Sequence, residues 1–329
     1  MPDVQCQRWE LHGLVVEGRW DHAAIGERWL ATFAPRPAPP PAAPTDLSLR
    51  LSLASAVPPA PPRPPDFQQG ELLSYYVTAE TVVAHFPRFG QLRLDLAAGT
   101  TTGEMTSAAL ATHGVFEDLL AISLSPHLRR RGRYLLHAFA AAPRTGPAAG
   151  RAALIIGDIG AGKTTTGLAL LHAGWQLLSN DSPILDAGQA LRVLAYPGLL
   201  SAYPDTLARF PELAALAPSP GTRQKTLFAA EAVYPGVWLK DAPPGALLLP
   251  RIEPRAEHAL ERLEPPDALR QILPHAIEQW DRAAIPAHLA LLTQLVQSTP
   301  AYRLRLAPTT DSLPDLIASA LQVPHPQGP

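Results

Sequence analysis

At 329 residues, 47% apolar and 17% charged, the chain has the length and apolar content for one large domain or two modest ones with a buried core. A formal net charge of −2 lacks the basic footprint of a nucleic-acid binder, and the single cysteine, Cys6, excludes an intrachain disulfide and a thiolate metal cluster. No stretch approaches the ~20 consecutive apolar residues of a membrane helix, and the opening "MPDVQCQRWELHGL" has acids where a secretory signal has its apolar run. A cytoplasmic protein with no membrane or nucleic-acid partner is expected.

Proline, at 38 residues, clusters in "APRPAPPPAAP" (34–44) and "VPPAPPRPP" (57–65). Consecutive prolines favour extended polyproline II and forbid helix. The two stretches read as stiff surface loops around one alternating strand, "LSLRLSL" (47–53), in preference to ligands for a proline-reading domain. The runs "LLSYYVT" (72–78), "TVVAHF" (81–86) and "QLRLDL" (91–96) continue the pattern, so the first hundred residues predict an antiparallel meander. Next, "THGVFEDLLAISLSPHLRRRG" predicts a helix with Thr112 as N-cap and Glu117 and Asp118 in its first half. Arg129 to Arg131 then complement the dipole of its last turn; phosphate contact is the other use of such a run.

"RYLLHAFAA" (133–141) and "AALIIG" (152–157), joined by the turn-rich "PRTGPAAG", predict a hairpin. Beyond it the pattern is mixed: helix 164–173, strands 176–179, 192–196 and 246–249, and helices from about 265 to 298. "AYRLRLAP" (301–308) reads as a strand and "LPDLIASALQ" (313–322) as a final helix.

The second strand of the hairpin runs into "GDIGAGKTTT" (157–166), which matches G-x-x-x-x-G-K-[ST] at Gly157, Gly162, Lys163 and Thr164. Small residues let successive backbone N–H groups turn inward as an anion nest, and the following helix adds its positive end. Lys163 is the expected partner of β/γ-phosphates and Thr164 of a magnesium ion. Gly157, Asp158, Ile159, Gly160, Ala161 and Gly162 form the expected ATP cradle, with Lys163, Thr164 and Thr165 opening the helix.

Helix 164–173 runs about 15 Å away from the loop, and strand 175–179, after the reversal at Gly174, climbs back about 16 Å. Asn180 and Asp181 are therefore expected at the loop's edge of the sheet. A carboxylate there can bind metal or take a proton from an attacking hydroxyl, whereas Asn180-Asp181-Ser182-Pro183 is also a good turn sequence. The LSGGQ signature of transporter ATPases and the N-K-x-D of GTPases are both absent.

"LLHAFAA", "IIGDIGAGKTTTGLALLHAGWQLLSND", "LAYPGLLSAYPDTLARFPEL", "ALLLPRI" and "TPAYRLRLAP" together resemble the HPr kinase/phosphorylase-like proteins. The catalytic domain of that family is similar to ATP-dependent phosphoenolpyruvate carboxykinase. The resemblance runs from about residue 113 to the end and more faintly upstream. It implies a P-loop nucleoside-triphosphatase-like α/β domain of mixed sheet and helices over residues 113–329, preceded by a β-rich region over 1–112. It implies ATP and Mg²⁺ as cofactors, with Thr164 and Asp181 on the metal. It also implies Lys163, His137 and Asp181 as catalytic residues, Asp181 being the second acid of the family's Asp-Asp pair.

This chain departs from the family in two places. Asn180 stands where the bifunctional enzymes carry the first acid; an amide accepts no proton at neutral pH, so its expected catalytic part is to hydrogen-bond Asp181 or orient an attacking hydroxyl. The Glu-Ile-Arg-Gly segment is replaced by "YPGLLSAYPDTLARF". Both point away from HPr as acceptor and from phosphorylase activity. Expected instead is an ATP-dependent phosphotransferase acting on a hydroxyl of a protein, peptide or small molecule, with serine of a protein or peptide favoured. The alternative is an ATP-binding sensor or switch with weak chemistry. A homo-oligomer is left open. Arg223, Lys225 and Arg251 are cations free to meet phosphate or acidic substrate, or simply water. The eleven histidines show no paired metal-ligand spacing.

Overall fold

The computed structural model describes residues 4–33, 37–218 and 224–322. It is a mixed α/β structure in two compact units. One runs to Arg131 and takes in the segment Glu278–Ala284; the other comprises Gly132–Ile277 and the chain from Ile285 onward. The division falls after the helix that the sequence reading placed in the second region, because that helix packs on the first unit's sheet.

The first unit is an eight-stranded sheet in the order Gln5–Leu11, Leu14–Trp20, Leu47–Leu53, Thr100–Met105, Gly90–Asp95, Thr81–Phe86, Leu73–Val77, Phe67–Gln69. It is not the wholly antiparallel meander expected. Leu47–Leu53 is parallel to both neighbours, because helix Ala23–Phe33 carries the chain across from Leu14–Trp20 and a parallel pair needs such a crossover. The helix lies close because two positions lack a side chain. A Cβ at Gly18 would strike the Trp29 ring, and one at Gly26 would strike Trp20. Trp9, Trp29 and Phe33 then pack with ring centroids 4.5–5.5 Å apart.

Helix Val115–Arg129 begins at Gly114, in a left-handed conformation, and not at Thr112, which ends a short preceding helix. Its buried face carries Phe116, Leu119, Leu124 and Leu128. Thr101 of the sheet donates to the Ser123 carbonyl at 3.0 Å. Burial pushes the neighbouring His127 down to about 4, so its ring stays neutral. Two of the three arginines at the helix end share one carboxylate, while Arg131 donates to the carbonyls of His127 and Asp46. Arg129 Nε and both terminal nitrogens of Arg130 reach Asp281 at 2.8–2.9 Å.

The second unit is built on a six-stranded sheet ordered Gln176–Ser179, Ala138–Ala142, Ala152–Ile156, Pro244–Ile252, Ala301–Leu306, Ala259–Leu263. The expected hairpin exists, but its first strand is split. Arg133–Leu135 joins a separate four-stranded sheet, and Ala138–Ala142 pairs with Ala152–Ile156. The break falls at Leu136 and His137, whose N–H groups leave the ladder for the carbonyls of Pro183 and His275. Helix Lys163–His172 covers the sheet, and Gly167 lets it approach, since a Cβ there would stand 2.5 Å from the Phe139 ring. Strands Ile184–Asp186 and Ala259–Leu263 went unforeseen. The final strand and helix lie at Ala301–Leu306 and Leu313–Gln322.

Candidate functional site

Strand Ala152–Ile156 is fully buried, and the chain leaves it through residues 157–162 to enter helix Lys163–His172. Gly160 and Gly162 hold φ of 84° and 102°, in the region that favours glycine. At Gly162 space also forbids a side chain: a Cβ would sit 2.5 Å from Leu306 Cδ1. Asp158 and Gly160 are exposed, and Ile159 at the tip is 85% exposed.

Lys163 is 8% exposed, yet no carboxylate takes its ammonium in an ion pair among the described residues. It folds back under the loop and donates to the carbonyls of Gly157 (2.6 Å) and Asp158 (3.1 Å). Burial lowers the pKa of this ammonium; the charge of Asp181 opposes that, Lys225 adds to it, and Asp158 opposes it more weakly.

Sheet order brings the other groups to the same edge. Gln176–Ser179 and Ala152–Ile156 both run antiparallel to the strand between them, so their C-terminal ends coincide with the start of that strand. Asn180, Asp181, Gly157 and His137 therefore share one edge, as the length argument requires. His137 Nδ1 lies 3.2 Å from Asp181 Oδ1, with Asp181 55% exposed. The turn carrying Asp181 is pinned by its own carbonyl, which accepts from the Ala138 N–H at 3.0 Å, and by the Ser179 hydroxyl, which accepts from the Ser182 N–H at 3.0 Å.

Asn180 is turned away from this cluster. Its Nδ2 donates to the Leu199 carbonyl at 3.2 Å, while its Oδ1 is buried without a partner. A carbonyl needs a donor, so an aspartate here would set acceptor against acceptor. Thr164 and Thr165 are half-buried on the first turn of the helix, and the Thr165 hydroxyl lies 3.4 Å from that of Thr206.

No family model matches the chain, and none of the curated proteins does. Among solved structures, the Hpr(Ser) kinase/phosphatase from Coxiella burnetii is similar at 13% identity and a TM-score of 0.32, with 57% of this chain and 88% of that chain covered.

His275 also stands at this edge, which sequence reading missed. Its carbonyl accepts the His137 N–H at 2.8 Å, and the two imidazole centroids are 6.2 Å apart. Burial lowers the pKa of His275; Asp158 opposes that, and the neighbouring His137 and Lys163 add to the lowering. No periodicity or motif marks it; only the turn at Leu273–His275 brings it in. Of the remaining expected cations, Arg251 ends a strand parallel to the loop strand. It is 71% exposed and 3.9 Å from Glu253, facing away from any tight partner. Arg223 lies outside the described residues.

Among the described residues, no helix is long and apolar enough to cross a membrane. Nor do three or more His, Cys, Asp or Glu side chains converge as a metal cluster among them. The edge thus assembles backbone N–H groups at a helix start, one buried ammonium, the exposed carboxylates of Asp158 and Asp181, and two imidazoles. That set can hold a polyanion and remove a proton beside it.

Proposed function

We propose that the chain binds Mg·ATP at residues 157–165 and transfers the γ-phosphoryl group to a hydroxyl, serine of a protein or peptide being favoured. The reading rests on one observation above the rest. Lys163 is a buried ammonium satisfied only by two loop carbonyls, at the foot of a glycine-rich strand-to-helix turn. A buried cation without a counter-charge is costly unless an anion joins it.

In this reading the loop amides and Lys163 hold the phosphates. The acceptor hydroxyl approaches from the side of Asp181. Its oxygen forms a bond to the γ-phosphorus as the β–γ bridging P–O bond breaks, and its proton passes to the Asp181 carboxylate. His137, at 3.2 Å, keeps that carboxylate oriented. Asn180 takes no part in the proton's path, because its amide is committed to Leu199. A magnesium ion suits the donor set, since the Thr164 hydroxyl and Asp181 carboxylate are hard oxygen ligands and such sites complete themselves with phosphate oxygens. When bound it neutralises phosphate charge.

With Asn180 in place of a second acid beside Asp181, the site suits forward transfer and gives inorganic phosphate or water little help. The second reading, an ATP-binding switch, draws on the same absence at Asn180. Incubation with γ-labelled ATP, Mg²⁺ and cell extract separates them. The kinase reading expects label on a serine hydroxyl, lost in Lys163→Met and Asp181→Asn. Tight ATP binding with no label transferred to any acceptor favours the switch.

A further inference from the structure

The segment 199–206 is tied to the phosphate-loop edge at both ends. At one end the Leu199 carbonyl accepts from Asn180 Nδ2 at 3.2 Å; at the other Thr206 Oγ1 lies 3.4 Å from Thr165 Oγ1. Between the ties, strand Leu200–Ala202 pairs antiparallel with Thr226–Phe228, Ala202 standing opposite Thr226. The next residues outward, Tyr203 and Lys225, consequently face each other. Lys225 Nζ lies 5.1 Å from the centroid of the Tyr203 ring, and Tyr203 is 47% exposed.

Lys225 is half-buried and makes no ion pair among the described residues. An aromatic face holds a cation more weakly than a carboxylate does and releases it readily to a stronger anion. Its charge nevertheless reaches Lys163, where it adds to the effect of burial. Two ammonium groups are thus kept near one loop, with the exposed Asp158 and Asp181 carboxylates beside them. Like charges so placed repel, and a polyanion between them relieves that repulsion. Asn180 gains a purpose in this arrangement. It anchors the strap that carries Tyr203 and Lys225, where an aspartate would repel the Leu199 carbonyl.

We propose that Lys225 is a second phosphate-contacting cation of this site, resting on Tyr203 when no nucleotide is present and engaging the γ-phosphoryl group of a bound nucleoside triphosphate. The strap runs from Asn180, next to Asp181, to the first turn of the loop helix. That is the side on which the transferred group meets its acceptor. Lys163 holds the β/γ bridge from beneath the loop, and Lys225 closes on the terminal phosphate from the strap. The inference rests on the reading of the loop as an ATP site. It adds a means of telling triphosphate from diphosphate, so that the site engages fully with ATP and releases ADP.

The test compares dissociation constants for Mg·ADP and for the non-hydrolysable Mg·β,γ-imido-ATP in wild type, Lys225→Met and Lys225→Arg, each checked for an unchanged melting temperature. Lys225→Met should weaken the triphosphate analogue about tenfold or more, the scale of a charge-assisted hydrogen bond, while ADP stays within about twofold. Lys225→Arg should recover most of the loss, since the charge is what acts. If wild type binds neither nucleotide, the reading of the loop falls and this proposal falls with it. If wild type binds both and Lys225→Met weakens them equally, or weakens neither, the loop reading stands and the role of Lys225 is refuted.

Discussion

Arg129 of the first unit and Lys163 of the second are both buried cations, and they are treated in opposite ways. The Arg129 side chain is 4% exposed and meets the Asp281 carboxylate, itself 2% exposed, at 2.8 Å. Arg130 grips the same carboxylate through two further bonds. Burial alone would raise the Asp281 pKa, but the bonds from Arg130 and the charge of Arg129 overcome it and hold the carboxyl below its ordinary range. Lys163 has nothing comparable, only two carbonyls and a lowered pKa. An ion supplied with its counter-ion by the fold is structural. On the proposed reading, the ion denied one takes its counter-charge from the nucleotide.

The largest expected effect sharpens that contrast from the ligand's side. Asp181→Asn should lower phosphoryl transfer about 10²- to 10⁴-fold, the usual cost of losing a positioned base. ATP binding and melting temperature should change little, because the side chain is 55% exposed. Single-turnover kinetics with any labelled acceptor measure it; an unchanged rate would place the proton acceptor elsewhere.

Asp281→Asn should do the reverse. Removing the charge leaves Arg129 buried without a counter-ion, and breaking such a pair costs about 3–5 kcal/mol. Denaturant unfolding should show this, while ATP affinity per folded molecule stays constant. A loss of under ~1 kcal/mol would mean that the two cations differ less than their surroundings suggest.

Both sites should make stability rise with pH, but in different ranges and for different reasons. Asp281 has its folded pKa depressed below the ordinary 3.8, so its stabilisation is full above that value and disappears as pH falls through the folded pKa. Lys163 has its folded pKa depressed below 10.5, so keeping it charged costs stability, and that cost lifts as pH rises through the folded pKa. Over the same alkaline range ATP affinity should fall, because on the proposed reading the ammonium is what the phosphates meet. Calorimetric titrations from pH 7 upward check the sign, and an affinity that rose with pH would contradict it.

The smallest expected effect concerns Asn180. Asn180→Asp sets a carboxylate against the Leu199 carbonyl and should cost on the order of 1 kcal/mol in unfolding experiments. If instead the variant gains phosphate-driven reversal at no cost in stability, Asn180 is a missing catalytic acid and not an anchor.

The loop was legible in the sequence because its determinants are local. Gly157, Gly162, Lys163 and Thr164 are fixed by spacing, and the ten-residue helix Lys163–His172 with strand Gln176–Ser179 determines where Asp181 ends up. The partners that give the edge its chemistry were not legible. His275 reaches His137 from a distant turn, and Leu199 reaches Asn180 through a bond that no pattern announces. The parallel placement of Leu47–Leu53 was missed for a related reason. Its alternation reveals a strand, but its direction depends on helix Ala23–Phe33, whose docking rests on Gly18 and Gly26. The break at Leu136 and His137 is likewise tertiary, since those N–H groups leave a strand-like run for carbonyls far along the chain.

The most direct measurement is calorimetric titration of wild type and Lys163→Met with Mg·ATP near pH 7. Lys163 makes no ion pair among the described residues, so the variant should keep or slightly raise its melting temperature. Its affinity for ATP should fall about 10- to 100-fold, as loss of a hydrogen bond between charged groups predicts. Equal affinities for the two proteins, or a variant that binds ATP normally but melts well below wild type, would show that Lys163 serves the fold and not a phosphate.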